Sequence, residues 1–595
     1  MRQVGRQGRA LSRRSVTLAL VIAAGATGAC RHRLLVPGED AGVASHDGWI
    51  VPPKGLPDGY VPAGCMKEHL PITTWNDERG QLTLALPAGA QVQAVSIAGA
   101  GGLESAAVVN HGAVAALAAT RGGAGDPIVE LAAIQQRFSD DLDAAGLGSL
   151  SVRASGSSGK SHEGWPDVKQ AIWDVEPASS VEAGALRDAL LGAVLAKPAA
   201  NLGNLLGPVG SPATQLVVQV TLVHRSNQVA VSAAVASRDD YESPSGDAGF
   251  TVEDLSNGTA LAKAGSTTIL ECDVGAVTTV PAADIIWVID ESGSMNDNRQ
   301  DIANHANTFF SMALSAGLDF RMGVTGVKKP EKGLVAGKFC SRSSTVKEDD
   351  GGEDRFLLPN EQALFSACVW NPPYYEGSQE YGLTAGYSAV KQHLPREASS
   401  PKKIREGAKL AVIFVTDETP QELKTDGTFL GQAGFLSFND YKPSSCSLSA
   451  GNSASLATSL KPLSDLLAGV TDPGAEAMVH LIGGACGNSC DAEIAYGYKE
   501  LAAARGGQTG DVCQKNLGPT LQVILSSIAS SASPRPLQHV PISSSLVVEA
   551  NGLRLPRSMA QGYTYNAAAN ALTFINVQVV KGTVVGAAYR RFSGQ

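Results

Sequence analysis

The pattern of apolar and polar residues changes twice along this chain. Up to about residue 280 the patterns are mixed, with short apolar runs that are typical of strands and 3.6-residue periodicity that is typical of helices. From 284 to 530, apolar runs alternate with helical patterns, as in β-α-β units. From residue 535 onward a period of two predicts short strands. A chain of 595 residues is too long for one hydrophobic core, so several domains are expected.

We place the predicted domain boundaries where these patterns change. The segments are a signal peptide at 1–29, a linker at 30–70, an N-terminal α+β domain of unknown family at 71–280, an α/β domain at 284–530 and a small β-rich domain at 535–595. In the third segment, Leu216–Val223 and Gln228–Ala236 predict a hairpin. In the last segment, Asn551-Gly552 is a strong signal for a hairpin turn.

Three apolar runs in the fourth segment predict strands that are buried on both faces. They are Ile285–Ile289, Leu410–Val415 and Met478–Ile482. Helical periodicity between and after them predicts covering helices. The expected fold of this segment is therefore α/β, with a doubly wound, mostly parallel sheet of the Rossmann-like kind.

The first apolar run ends abruptly in the polar loop Asp290-Glu291-Ser292-Gly293-Ser294. One carboxylate and two hydroxyls at alternate positions place three oxygen ligands on one tight loop. In open α/β sheets, ligands bind at the carboxyl ends of the strands. The second run ends in Asp417, which is expected beside the loop. Hard oxygen ligands of this kind suit Mg²⁺.

This loop resembles the Asp-x-Ser-x-Ser signature of the von Willebrand factor type A (VWA) family, where it forms the metal-ion-dependent adhesion site. The resemblance covers about 284–530. It implies that Asp290, Ser292 and Ser294 bind a divalent cation, which we expect to be Mg²⁺, with Mn²⁺ or Ca²⁺ as alternatives. It also implies a contribution from Asp417, often through water.

The VWA family also uses a threonine from a loop before a later helix. The matching position in this chain is Ser378, where a hydroxyl is kept, and Glu380 is an alternative ligand. The alternative interpretation, without a metal, is that Asp290 caps the following helix and the serines bind turn amides. Capping requires one side chain, whereas the motif supplies three oxygens and Asp417 on the next strand.

The ligand set implied by the resemblance has one direct carboxylate, so it does not fully neutralise a divalent cation. We therefore expect an acidic side chain of a protein or matrix ligand to complete the coordination. The chain has no His-Glu-x-x-His motif, no nucleophile elbow and no acid/base constellation, so we do not expect an enzyme. Two alternatives remain open: a secreted enzyme whose residues 71–280 are catalytic and whose VWA-like region is a targeting module, or a purely structural envelope component.

The first 29 residues contain five arginines and no acidic residue, and they end in the apolar run Val16–Ala29. This pattern is typical of an export signal and is too short for a membrane span. Thr27-Gly28-Ala29-Cys30 resembles a bacterial lipoprotein cleavage box, which implies a lipid on Cys30, while ordinary cleavage after Ala26 is the alternative. Loss of the five arginines changes the formal net charge from −10 to −15, which makes nucleic acid a poor partner.

We therefore expect an exported protein of the bacterial cell envelope, which contacts the membrane only through its lipid, or else a secreted or periplasmic one. Without Cys30, eight cysteines remain, an even number that suits four disulfides in an oxidising compartment. They are Cys65, Cys272, Cys340, Cys368, Cys446, Cys486, Cys490 and Cys513.

Three disulfide pairings are expected. Cys340 and Cys368 lie in a long insertion of the α/β segment, predicted at 328–375, and are expected to pair. One of Cys486 or Cys490 is expected to pair with Cys513, and Cys65 and Cys272 are left by elimination.

The lipid anchor gives a first testable prediction. Replacement of Cys30 by alanine should move the protein from the membrane fraction to the soluble fraction, because the acyl chains on that residue would be the only anchor. Fractionation of cells followed by immunoblotting measures the distribution. Unchanged membrane association of the variant would favour ordinary cleavage near Ala26.

Overall fold

The structure of the protein is a computed structural model. It describes residues 49–62, 65, 70–79, 81–97, 104–122, 127–144, 148–158, 168–198, 202, 205–225, 228–243, 247–327, 336–341, 353–373, 380–424, 428–429, 432–433, 448–470, 477–486, 490–533 and 535–593. Three residues with predicted roles, Cys30, Ser378 and Cys446, lie outside the described residues.

The part of the chain before residue 280 is rich in strands. Its strands are β1 (Ile72–Asn76), β2 (Leu82–Pro87), β3 (Gln91–Ala94), β4 (Ser105–His111), β5 (Val114–Gly122), β6 (Ser149–Ser158), β7 (Val168–Glu176), β8 (Leu216–Arg225), β9 (Gln228–Ser237), β10 (Leu261–Lys263) and β11 (Thr268–Ala276). Its helices are α1 (Pro127–Ala144), α2 (Ala183–Leu195), α3 (Arg238–Glu242) and α4 (Ala248–Ser256). The predicted hairpin is confirmed as β8 and β9.

The middle part alternates strands with helices. Its strands are β12 (Ala282–Ile289), β13 (Asp319–Gly326), β14 (Lys409–Val415), β15 (Thr428–Phe429), β16 (Gln432–Ala433), β17 (Met478–Gly483) and β18 (Gln508–Asp511). Its helices are α5 (Asn296–Ser315), α6 (Gln362–Trp370), α7 (Gly382–Gln392), α8 (Ala450–Gly469), α9 (Tyr498–Ala504) and α10 (Gly518–Ser531).

The last part is built from short strands. After a 3-10 turn at Ser543–Ser545 come β19 (Val547–Ala550), β20 (Leu553–Leu555), β21 (Gly562–Asn566), β22 (Ala571–Ile575) and β23 (Val584–Phe592). The predicted turn at Asn551-Gly552 joins β19 to β20, and both residues have positive φ, as a tight hairpin turn requires.

One sheet of 12 strands runs through the first two parts, in the order β13-β12-β14-β17-β18-β6-β7-β8-β9-β5-β4-β3. The neighbours from β13 to β18 are parallel, and all the later pairs are antiparallel. The two halves join where Gln508 and Thr509 of β18 pair with Gly156 and Ser155 of β6. The hydroxyls of Ser155 and Thr509 lie 2.5 Å apart at this join.

The predicted fold class, a doubly wound and mostly parallel sheet, is therefore wrong. The sheet is mixed, and its seven strands from β6 to β3 are paired antiparallel and come from the first part of the chain. An exposed sheet edge leaves backbone donors and acceptors unpaired, and β6 covers the edge that β18 would otherwise expose. Because β18 is short and polar (Gln-Thr-Gly-Asp), the apolar pattern gave no sign of this continuation.

The predicted small C-terminal β domain also needs correction. Its sheet has the order β11-β23-β19-β20, and β11, which precedes the α/β part, pairs with β23 from Thr268 to Ala276. Buried Asp273 of β11 accepts a 2.9 Å hydrogen bond from the Tyr589 hydroxyl of β23. Residues 282–531 therefore lie, along the chain, between two neighbouring strands of one sheet.

The central strand β12 is buried on both faces, as its apolar run predicts. Alternate residues of β12 enter two different cores, so that Trp287 lies in one core and Val288 in the other. The Trp287 ring meets Phe309 and Phe365 edge-on, at centroid distances of 5.6 and 5.5 Å. Packing on both faces holds the carboxyl end of β12, where Asp290 lies, in a fixed position.

The three expected disulfide pairings are present, as Cys65–Cys272, Cys340–Cys368 and Cys490–Cys513. Cys486 is also disulfide-bonded. Disulfides of this number are typical of proteins that fold in an oxidising compartment, which identifies the chain as exported. Among the described residues, no helix has the length and apolar composition needed to cross a membrane.

The amino end of β12 gives a prediction about stability. Asp284 is fully buried and accepts bonds from Arg321 Nε and Nη2 (3.1 and 2.9 Å) and from Arg405 N and Nε (2.6 and 2.8 Å). Replacement of Asp284 by alanine leaves two guanidinium groups without this partner, and should lower the free energy of unfolding by about 3 kcal/mol or more.

Asp319 provides a matched control, because it binds the same Arg405 at 2.7 Å but its side chain is 57% exposed. Its replacement by alanine should cost less than about 1 kcal/mol. Urea denaturation of both variants measures the difference. Equal losses of unfolding free energy in the two variants would show that burial does not make the ion pairs of Asp284 more stabilising than the exposed pair of Asp319.

Candidate metal centre

Asp290 lies directly after β12, and the structure buries it completely. Its backbone N–H donates to the carbonyl of Val415, the last residue of neighbouring β14, at 2.9 Å. Its carboxylate accepts one bond from the backbone N–H of Ser292 and one from the hydroxyl of Thr416, both of 2.8 Å. The parallel pairing of β12 with β14 thus brings Asp290 and the residues after β14 together, as predicted.

Ser292 and Ser294 lie on the same loop, with their hydroxyl oxygens 2.9 Å apart. The Ser294 hydroxyl also bonds to the carboxylate of Asp417. The structure therefore brings together Asp290, Ser292, Ser294 and Asp417, four of the five residues that the sequence predicts. Ser294 is exposed and Ser292 is half-buried, so the loop faces solvent.

Two neighbouring charged residues fix the backbone of this loop. The Arg299 guanidinium donates through Nη1 to the carbonyls of Asp290 and Ser292, both at 2.8 Å. Glu291 accepts a 2.8 Å bond from the backbone N–H of Val327, after β13. The carboxylate of Glu291 is thus bound at the neighbouring strand end, which explains why Asp290 supplies the acidic group of the loop.

The helix-cap interpretation of Asp290 does not fit this geometry. Helix α5 begins at Asn296, and the residue in its N-cap position is Met295, which makes no side-chain capping bond. Asp290 lies further upstream and folds its own loop through Ser292 instead.

Glu380, the alternative to Ser378, lies just before Tyr381, the N-cap residue of α7, and is 8% exposed. Its backbone carbonyl accepts a bond of 3.1 Å from the backbone N–H of Gln421. Its Oε2 atom is buried and has no hydrogen-bond partner among the described residues. Burial raises the pKa of Glu380 to about 9, and the negative charges of Asp290, Glu418 and Asp417 add to this effect. Glu380 therefore lies in the same carboxylate cluster.

The carboxylates of this cluster have too few positive partners for all of them to ionise easily. Burial raises the pKa of Asp290 and the pKa of Asp417, and Asp417 Oδ1 is buried with no hydrogen-bond partner in the described part of the chain. Lys424, which faces the cluster, pairs with Glu418 at 3.3 Å and Glu493 at 2.6 Å. Buried carboxylates are stabilised by a counter-charge, and a bound cation would supply it.

The donor set fits a hard cation only when the hydroxyl groups take part. Within the described ranges, no three or more His, Cys, Asp or Glu side chains form a group that could hold a metal alone. Asp290, Ser292 and Ser294 together offer one carboxylate and two hydroxyls, and Asp417 and Glu380 offer unpartnered carboxylate oxygens. Oxygen donors of this mixture suit Mg²⁺, Mn²⁺ or Ca²⁺.

Sequence reasoning missed the acidic residues that follow Asp417. Glu422 is fully buried, accepts a 2.8 Å bond from the backbone N–H of Thr384, and has its pKa raised to about 7 by burial. Its carboxylate therefore holds the first turn of α7, next to Glu380. The signal in the sequence was the acidic run Asp417-Glu418-Thr419-Pro420-Gln421-Glu422 directly after an apolar strand.

Comparisons with known proteins leave the family open. No protein-family model and no curated protein matches the chain. Solved structures with partial likeness include the pilus adhesin SpaC of Lactobacillus rhamnosus GG (open conformation; 15% identity, TM-score 0.30, 55% of this chain and 41% of that one) and the human COPII-coat protein Sec24c (12% identity, TM-score 0.26, 56% and 42%). A third is the cyanobacterial PsbP of Synechocystis sp. PCC 6803 (7% identity, TM-score 0.21, 33% and 93%).

The chain thus covers less than half of the adhesin and of the coat protein. These scores are too low to establish a common fold, and no role for this chain follows from them.

The buried carboxylates predict how stability depends on pH without metal. The unfolded chain loses the Glu380 proton near its ordinary pKa of 4.5, but the folded chain keeps it up to about pH 9. Between these values the folded state binds more protons, so the free energy of unfolding should fall as pH rises. Glu380→Gln should reduce this fall between about pH 5 and about pH 8, because glutamine does not ionise.

Chemical denaturation in EDTA at several pH values measures the slope. Glu406→Gln, on the exposed loop before β14, is the matched control and should keep the wild-type slope. An unchanged slope in the Glu380 variant would mean that this carboxyl is not the group that responds to pH.

Proposed function

We propose that the loop from Asp290 to Ser294 is a metal-ion-dependent adhesion site of the VWA type, and that this exported protein uses a divalent cation there to bind a protein or matrix ligand. The observation that carries this proposal is a buried, hydroxyl-lined carboxylate cluster with two unpartnered carboxylate oxygens, on Asp417 and Glu380. Such oxygens are costly to bury unless a cation or a proton satisfies them.

The donor chemistry narrows the choice of cation. Mg²⁺ is our first choice, since it accepts hydroxyl and carboxylate oxygens and keeps water ligands, and Mn²⁺ accepts similar donors. Participation of Glu380 as a further carboxylate would favour Ca²⁺, which takes six to eight oxygens. When bound, the cation would supply positive charge that attracts an anionic oxygen.

Two features bear on whether an outside ligand reaches this cation. Ser294 is exposed and Ser292 is half-buried, so the hydroxyl side of the loop is open to a partner. Glu380, by contrast, offers an acidic oxygen from within the chain, the kind of group that a ligand would bring. An acidic side chain of the ligand would therefore have to displace Glu380 from the cation or bind beside it.

A second candidate function, a structural cation that only rigidifies the loop, is favoured by this same Glu380 carboxylate. With Asp290, Asp417 and Glu380 all ionised, the cluster neutralises a divalent ion without a ligand. We prefer the adhesive function because the serine side of the loop is open. We further propose binding rather than catalysis, and attachment of the protein to the envelope by a lipid on Cys30.

The metal assignment is tested by replacement of Asp290 with alanine. The variant should lose measurable binding of Mg²⁺ and Mn²⁺ in calorimetric titration, because it lacks the carboxylate at the centre of the cluster. The control is Asp297→Ala on the first turn of α5, an exposed carboxylate that should leave affinity unchanged. Wild-type affinity in the Asp290 variant would contradict the assignment.

The adhesive function is tested by recovery of ligands from extracellular matrix proteins on immobilised full-length protein, in Mg²⁺ and in EDTA. Adhesion predicts ligands that are retained in Mg²⁺, released by EDTA and not recovered by the Asp290 variant. A protein that binds the cation by calorimetry but retains the same ligands in EDTA would have a structural cation instead.

A further inference from the structure

A second feature of the molecule is a cleft of about 460 Å³ that shares no residue with the metal loop. It lies where the three parts of the chain meet. Its floor is formed by β6, β7 and β8, and its walls by α3 and α4 on one side and by α10 and β21 with the turn after it on the other. Its volume lies within the range of sites that bind small organic ligands, about 300–1,000 Å³.

The floor of the cleft is the outer face of the large sheet. Gln219 of β8 pairs with Ile172 of β7, so their side chains lie on the same face. The neighbouring residues Val218 and Val220 point to the opposite face, into the core beneath α1 and α2. The alternation along β8 therefore turns a glutamine, in place of an apolar residue, toward the cleft.

Gln219 is 7% exposed, and its amide has no hydrogen-bond partner among the described residues. The amide has two donors and an acceptor, and these face the cleft, where they are free to bond to a ligand. Two other cleft residues, Gln508 of β18 and Gln522 of α10, likewise have side-chain amides without a partner in the described structure. The Gln508 side chain lies across Gly156, where a Cβ atom would come within 2.6 Å of its Nε2.

The charged groups of the cleft, in contrast, are paired within the protein. Arg153 binds Asp174 through Nε at 3.0 Å and through Nη2 at 2.6 Å, and it also binds Glu242 at 2.7 Å. Glu253 accepts a bond of 3.3 Å from Arg557. Unpaired amides beside paired charges favour a neutral ligand with many hydroxyl or amide groups over an ion.

The walls also carry aromatic and aliphatic residues, including Tyr241, Phe250 and Val523, beside polar ones such as Ser526 and Asn566. Sugars present apolar C–H faces and polar hydroxyl edges together, which matches a cleft that combines apolar side chains with uncharged polar groups. An extended peptide usually binds by pairing with a free strand edge. Strands β6, β7 and β8 offer no such edge, because each is paired on both sides.

From this arrangement we infer that the cleft is a binding site for a neutral carbohydrate, with Gln219 as the amide that bonds to its hydroxyls. This site is separate from the metal loop. The protein would thus bind a glycan without the help of a cation.

The test uses the full-length protein in EDTA, so that a metal-mediated contact cannot contribute. The protein is applied to an array printed with oligomers of N-acetylglucosamine, glucose, galactose and mannose, beside a hexapeptide library. We expect binding to at least one oligosaccharide and not to the peptides. Calorimetry with that oligosaccharide should show at least tenfold weaker binding for Gln219→Leu, which keeps the volume and removes the amide.

Two further variants keep the test decisive. Gln135→Leu, at a part-buried position on α1 away from the cleft, is the control and should bind like wild type. Gln522→Ala should also weaken binding. Gln522 is at an exposed position where folding does not depend on the side chain, so this variant tests the cleft even if Gln219→Leu fails to fold. Absence of carbohydrate binding, binding to peptides only, or unchanged affinity in the folded cleft variants would each overturn the inference.

Discussion

The burial of the Asp290 carboxylate at the carboxyl end of β12 is the constraint on which the candidate site depends. A charge without solvent around it must be satisfied by hydrogen bonds, a proton or a counter-ion. The Ser292 N–H and the Thr416 hydroxyl supply two bonds. Asp417 adds negative charge nearby, and Glu380 does so once it loses its proton. These bonds alone therefore leave the ionised cluster short of positive charge, and a bound cation would supply it.

The position of this cluster follows from the sheet. Strands β12 and β14 are parallel neighbours, so their carboxyl ends, and the residues directly after them, meet at one edge. Packing of Trp287 and its neighbours on both faces fixes that edge. The buried ion pairs of Asp284 do the same at the amino end of the strand. The loop between Asp290 and Ser294 therefore rests on a rigid support, which a preorganised binding site requires.

Apolar patterning predicted β12, β14 and β17 well, because strands buried on both faces consist of continuous apolar residues. It also placed Asp290 and Asp417 together, since this follows from parallel pairing alone. The join of β18 to β6 could not be predicted, because its residues are polar and its contacts span more than 350 positions. The pairing of β11 with β23 could not be predicted for the same reason, because strands that are far apart in the sequence leave no local pattern of their pairing. Glu380 was recognised only as an alternative ligand, because its burial depends on how α7 packs.

A cation at the Asp290 loop would be seen directly in a crystal structure of the protein soaked in Mn²⁺, with data collected at the manganese absorption edge. We expect an anomalous difference peak bounded by the Asp290 carboxylate and the hydroxyls of Ser292 and Ser294, with Asp417 and Glu380 facing it. A peak elsewhere on the molecule only, or an Asp290 loop that stays free of manganese at saturating concentration, would contradict this expectation.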